Sequence, residues 1–375
     1  MSYKTKAAAL VACMLAIGVA SAPQNASAAA PAECDNNPQE TAQVRPIELG
    51  VSGGNLNSLL FLKNGKPNGC YSGTLGSMVE DSEENEYILS NNHVLADQNK
   101  ARPGQLIVQP GLADTDCLQG PNNAVATFSR KIKLKFDGSK NLVDAAIAAV
   151  NPEDVSPEIL FIGGISSSVA TPIIGMAVQK MGRTTCLTTG GIVQLDVHLK
   201  VNYSDTKKPK LAKFVDQITV TGSVSTPTFG AAGDSGSLIV TDDYCPQAVA
   251  LLFAGSTSGL IIANPISTVL SKLDVSMVGT CTADASPAPA EVEAQSVGLS
   301  AQAVATAGAV RDRHEDALMK IPGAVGTGIG AGDQPGQTTI VIYVDKLTPQ
   351  AQAAAPKEVE GTPVKLIESG EFSAF

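Results

Sequence analysis

The sequence has no tryptophan, and its other aromatics are six tyrosines and nine phenylalanines in 375 residues. Stacking platforms for bases or sugars would have to be built from very little. Charge is scarce as well: 17% of residues are Asp, Glu, Lys or Arg, and the 36 acids outnumber the 26 Lys and Arg, for a net charge of −10. No diffuse positive field exists to attract a phosphate backbone, so nucleic acid is set aside as a partner. The longest apolar run, Ala7 to Ala20, falls short of the about 20 residues a membrane-spanning helix needs, so no transmembrane span is expected. No two cysteines have C-x-x-C spacing, which disfavours a zinc site or a dithiol redox centre, and neither a metal nor a cofactor is expected.

What is present points elsewhere. Lys4 and Lys6 precede that apolar run, and Ala26-Ser27-Ala28 supplies an A-x-A cleavage site, so residues 1–28 read as a secretory signal peptide. A lipidated Cys13 after Leu10-Val11-Ala12 is the rival reading, and the apolar run continuing through Met14 to Val19 argues against it. Losing the two lysines takes the mature chain from −10 to −12. In an oxidising compartment the remaining Cys34, Cys70, Cys117, Cys186, Cys245 and Cys281 fit three disulfides, whose pairing spacing leaves open. Cys186 and Cys245 are expected to stay within one subdomain.

Gly (35) and Pro (22) punctuate a chain that is 43% hydrophobic, a mixture suited to many short strands. Residues 29–45 have no period and read as a flexible leader. Six strand-like runs lie in residues 46–150 and about five in 165–281, which predicts an all-β fold of two antiparallel β-barrels with a cleft between them. Residues 282–299, with Ser286-Pro287-Ala288-Pro289-Ala290, read as a linker. Residues 300–375 predict a small α/β domain: a helix to Ile321, strands Ala324 to Ile329 and Thr338 to Val344, and a final strand from Thr362. Its run Gly326 to Gly332 lacks a G-x-G-x-x-G register and reads as a glycine-relaxed strand.

Gly233-Asp234-Ser235-Gly236-Ser237-Leu238 turns directly into an apolar strand. A nucleophilic Ser needs such glycines, because the backbone must bend tightly and aim the N–H groups of Gly233 and Ser235 at one oxyanion position. The blander meaning is a Gly-rich hairpin. A general base must accompany the Ser, and the chain offers three His. His93 ends the run Tyr87 to Asn92 and would project from a strand end; His198 alternates on a strand, and His314 sits on a solvated helix face. The orienting acid should be buried, and Asp144 is the carboxylate embedded in an apolar strand, whereas Asp114 and Asp137 occupy turn-like, solvated contexts.

With His93, Asp144 and Ser235 in this order, residues 46–281 resemble the chymotrypsin-like serine endopeptidases. Ser90-Asn91-Asn92-His93, Val143-Asp144-Ala145-Ala146-Ile147 and Gly233-Asp234-Ser235-Gly236 carry the resemblance. It implies a double six-stranded-type β-barrel and an exported endopeptidase acting on protein or peptide substrates. Ser235 would be the nucleophile, His93 the general base, Asp144 its orienting partner, and the Gly233 and Ser235 amides the oxyanion hole. Gly182-Arg183-Thr184-Thr185 is similar to the bacterial streptogrisins and alpha-lytic protease, where a basic residue pairs the Asp before the nucleophile; Lys180 or Arg183 would hold Asp234. The chain departs from the animal enzymes at Val94, where they have a Cys, although Cys70 stands where its partner is usually found. Phe229, six positions before Ser235, would floor the specificity pocket and excludes pairing with a basic substrate side chain; Ala254, Gly255 and Ser256 would form its wall and the strand on which a peptide adds. A catalytically silent binding protein, or a protease held inactive by its C-terminal domain, is the alternative.

Overall fold

Short apolar runs cut by Gly, Pro, Asn and Asp leave few places for helices, and in the computed structural model of the protein most ordered elements are strands in curled sheets. The structure describes residues 34–61, 67–118, 120–204, 208–281 and 299–375. The signal segment 1–28 with Cys13, and residues 282–298 of the linker, lie outside the described residues.

One sheet of eight strands is antiparallel throughout, in the order Ser276–Met277, Ser77–Glu80, Glu86–Ser90, Ala146–Val150, Ala124–Lys131, Leu106–Val108, Val51–Asn55 and Gly73–Leu75. A second sheet of twelve strands contains a ring. Leu211–Gly222, Ile261–Pro265, Ala248–Ser256, Leu238–Thr241, Ala177–Lys180 and Thr188–Asn202 pair in that order, and Thr188–Asn202 pairs back onto Leu211–Gly222. Val178, Ile192, Val220, Phe229, Leu252 and Ile261 pack together as one apolar cluster of this ring.

The sheet does not stop at the ring. Thr188–Asn202 is fifteen residues long and carries Ala324–Ala331 as a further antiparallel partner at Gln194, Leu195, His198 and Leu199. Thr338–Val344 and Thr362–Glu368 extend it further. The helix Ala301–Leu318 opens with the Ser300 hydroxyl accepting the Ala303 amide, which satisfies one of the free donors of its first turn. It buries Ala307, Val310 and Leu318 against Ile329, Ile340 and Ile342. The chain then returns to the ring, where Phe372–Ala374 runs antiparallel to Ala254–Ser256 and parallel to Val201–Asn202.

The disulfides are Cys34–Cys186, Cys70–Cys117 and Cys245–Cys281. Cys186 therefore ties not to its own half but across 152 residues to the segment before the first strand. This also corrects the reading of the described leader residues 34–45 as flexible. Gln39 is buried and donates to the Arg183 carbonyl at 3.1 Å, and Arg45 pairs with Asp154 at 2.8 Å. Side-chain bonds and a disulfide order a segment that has no hydrophobic period for composition to reveal.

Candidate active site

The strand Glu86–Ser90 ends at Asn91, whose backbone is still extended, before the helical turn Asn92–Leu95. The polar run here is structural before it is chemical. Ser90 donates to the Thr74 carbonyl, Asn91 to the Asp144 carbonyl and Asn92 to the Ile132 carbonyl, each at 2.7 Å. These bonds fix the strand end from which His93 projects.

Asp144 is fully buried, and a lone carboxylate there would cost several kcal/mol. It is not alone. Its Oδ2 lies 2.6 Å from His93 Nδ1 and accepts the Tyr203 hydroxyl at 2.6 Å, while its Oδ1 accepts the His93 amide at 3.3 Å. The Asp144 amide donates to Asn264 at 2.9 Å, which sets the backbone. Burial, then the negative charge and hydrogen bond of Asp144, push the Tyr203 phenol well above its usual range, so it stays a donor. Tyr203 and Asn264 escape sequence reasoning because nothing local marks residues 59 and 120 positions away as neighbours.

Ser235 is fully buried in a loop clamped to the strand Gly73–Leu75. Thr74 donates its amide to the Ser235 carbonyl at 2.8 Å and its hydroxyl to the Gly233 carbonyl at 3.0 Å. Gly236 has φ +94°, and a Cβ there would fall 2.1 Å from Ser90 Oγ, so both conformation and space require glycine. Ser235 Oγ donates to the Phe253 carbonyl at 3.1 Å. The Thr184 hydroxyl holds the Ala232 carbonyl at 2.7 Å. Because a trans peptide points its carbonyl and N–H in opposite directions, this turns the Gly233 amide away from Thr184. Among the described residues neither the Gly233 nor the Ser235 amide has an acceptor.

Asp234 is sealed beneath this loop. It accepts the amides of Thr184, Thr185 and Ala231 and the Thr185 hydroxyl, and Lys180 Nζ, also fully buried, stands 3.7 Å away. Burial lowers the Lys180 ammonium from its ordinary value against the pull of Asp234. Arg183 turns elsewhere, to Asp114, with Nε 2.8 Å from Oδ2. Asp114, read from its turn as solvated, is therefore half of a partly buried ion pair; its partner lies 69 residues on, beyond the reach of local composition.

The cleft is occupied by residues 372–375. Ala374 faces Ala254, Ser373 faces Gly255 and Phe372 faces Ser256. The Phe375 amide reaches the Phe253 carbonyl at 3.5 Å, and the Phe375 carbonyl oxygen lies 3.0 Å from His93 Nε2. A cavity of about 360 Å³ adjoins, bordered by Tyr71, His93, Arg183, Tyr203, Gly233 and Phe375.

Its neighbours among solved structures include chymotrypsin-like bacterial serine proteases. A glutamic acid specific serine protease whose substrate binding uses a histidine triad is 18% identical, with a TM-score of 0.40 over 62% of this chain and 100% of that one. Thermobifida fusca protease A is 16% identical at 0.38, and Cellulomonas bogoriensis chymotrypsin 16% identical at 0.37, each again over 62% of this chain and 100% of the other. No protein-family model and no curated protein matches the chain. Overlaps this loose leave the chemistry to be argued from the chain's own residues.

The other two histidines stand away from this site. His198 is buried where Thr188–Asn202 meets the helix Ala301–Leu318, 2.9 Å from Glu315 and 3.3 Å from Asp196. Asp196, His198 and Asp216 are close enough to share a cation, but the buried Arg311 guanidinium already stands 2.6 Å from Asp196 and 3.2 Å from His198. His314 pairs with Glu360 at 2.8 Å.

Proposed function

We propose that the protein is an exported serine endopeptidase of two β-barrels and a C-terminal α/β domain, which hydrolyses peptide bonds through an acyl-enzyme on Ser235. The observation that carries this is the peptide segment lying antiparallel on Ala254–Ser256 with its Phe375 carbonyl 3.0 Å from a His93 already paired with buried Asp144. In the arrangement seen, Nε2 meets the Phe375 oxygen as a donor; with that oxygen displaced by substrate and Nδ1–H directed at Asp144, the neutral imidazole presents its Nε2 lone pair as base. Ser235 Oγ attacks the substrate carbonyl carbon as its proton passes to Nε2. The oxyanion that forms meets the Gly233 and Ser235 amides, and Nε2 then returns the proton to the leaving amine. Water repeats the sequence on the ester and releases the acid. Phe229, Ala254, Gly255 and Ser256 are assigned to the substrate pocket. Three disulfides support export.

Labelling by a fluorophosphonate tests this: the mature protein should label at Ser235 and Ser235→Ala should not. Equal labelling of both, or no labelling of either even when Phe375→Ala weakens the resident segment, sinks the enzyme reading.

A second reading is favoured by the same segment. In this structure the Ser235 proton points to the Phe253 carbonyl rather than to His93, and residues 372–375 lie where a substrate would. The C-terminal domain then holds the protease inactive. Phe375→Ala should speed labelling about tenfold, the worth of one half-buried aromatic side chain; an unchanged rate rejects it.

A further inference from the structure

We infer that the cleft selects peptides with a large aromatic residue immediately before the scissile bond, a preference displayed by the seat that Phe375 takes. The inference rests on the endopeptidase reading and narrows its substrate class.

Register comes first. In the pairing of Phe372–Ala374 with Ala254–Ser256, alternate residues face the two sides of the added strand. Phe375 follows with a backbone oxygen 3.0 Å from His93 Nε2, the place of an oxygen on the acid half of a cleaved peptide, so its side chain marks the position before the cut. The ring lies on the backbone of Gly255: a Cβ there would stand 1.9 Å from the ring Cζ and under 3 Å from both Cε atoms. Half-buried, it also packs against the cluster containing Ile192, Phe229, Leu252 and Ile261. The nearby hydroxyls of Thr185 and Thr188 are engaged by the Phe229 carbonyl, at 3.4 and 2.8 Å. Lys180 and Asp234, the charges under this loop, are spent on each other.

Each feature rejects a class of substrate. A Lys, Arg, Asp or Glu side chain would lose part of its hydration against the apolar cluster with no charged partner on that side, which disfavours it. A small side chain would leave the Gly255 wall and the apolar cluster uncovered and lose contact area. A planar ring satisfies both surfaces at once.

The test uses the full chain and its Phe375→Ala variant, in which the resident occupant is weakened. Acetyl-Phe-Ser-Ala-Xaa anilides with Xaa as Phe, Ala, Lys or Glu report kcat/KM. The Phe substrate should exceed each of the others by about 100-fold or more. In Gly255→Val the Phe-to-Ala ratio, which does not depend on the fraction folded, should collapse toward one. Cleavage with Lys, Glu or Ala preferred, or an unaltered ratio in Gly255→Val, overturns the inference and leaves the protease standing. If nothing is cleaved and Ser235 does not label, the protease reading falls instead. Anisotropy with fluorescein-Phe-Ser-Ala-Phe and fluorescein-Phe-Ser-Ala-Lys then decides the seat alone. Tenfold tighter binding of the Phe peptide to Phe375→Ala supports it, and equal binding rejects it.

Discussion

His93 and His198 both aim Nδ1 at a carboxylate oxygen, 2.6 Å from Asp144 in the cleft and 2.9 Å from Glu315 at the seam between ring and helix. The second nitrogen separates them. His93 Nε2 meets the Phe375 backbone oxygen, whereas His198 Nε2 is hemmed in by Asp196, Asp216 and the Arg311 guanidinium. Burial works against a charged His198, but hydrogen bonds to Asp196, Asp216 and Glu315 outweigh it and raise its pKa to about 10. An imidazole so held is charged near neutral pH and is of no use as a base there. A His–carboxylate pair therefore becomes a candidate for chemistry only where its far nitrogen is left to a substrate.

The comparison breaks most sharply by truncation. His93→Ala should lower peptide hydrolysis by about five to six orders of magnitude, the scale seen when one member of such a unit is removed. His198→Ala should stay within about tenfold of the parent. Similar losses in both, with circular dichroism unchanged, would erase the distinction. Next, Asp144→Asn should cost about four orders of magnitude in kcat through the wrong tautomer. Glu315→Gln should leave kcat nearly unchanged. A third contrast is in stability. Arg311→Met strips a fully buried cation from Asp196 and should lower the unfolding free energy in urea by about 3 kcal/mol.

The smallest effect is in pH. Because the His198 pKa is raised from an ordinary 6.5, its contribution to stability is fully present below about 6.5 and is lost as pH rises through about 10. Glu315, lowered to about 2 first by its hydrogen bond from His198, contributes fully above its ordinary 4.5 and loses that contribution as pH falls through about 2. The melting temperature should therefore fall along an alkaline limb that His198→Asn flattens. A variant with the same limb would show that the seam charge adds nothing.

His93, Asp144 and Ser235 were legible as candidates because each carries a local mark: a strand end, an acid in an apolar strand, a glycine-bracketed turn. The strand-rich character was legible for the same reason, since Gly and Pro spacing is local. Tyr203, the Asp114–Arg183 pair and the Cys34–Cys186 bridge were not, because each depends on chain segments tens to more than a hundred residues apart. Lys180 is intermediate. Its neighbourhood to Asp234 followed from a resemblance, and its complete burial is a property of packing that no motif states.

Thr188–Asn202 pairs with Leu211–Gly222 and, at positions 194–199, with Ala324–Ala331 as well. Any event that strips residues 301–375 from the ring leaves that stretch with unpaired N–H and C=O groups, a template for strand addition by another chain. The charges at Asp196 and His198, set beside backbone irregularities in the same stretch, are the features that resist such addition. Release of the cleft and protection of this newly bared border against self-association are then two demands on a single strand.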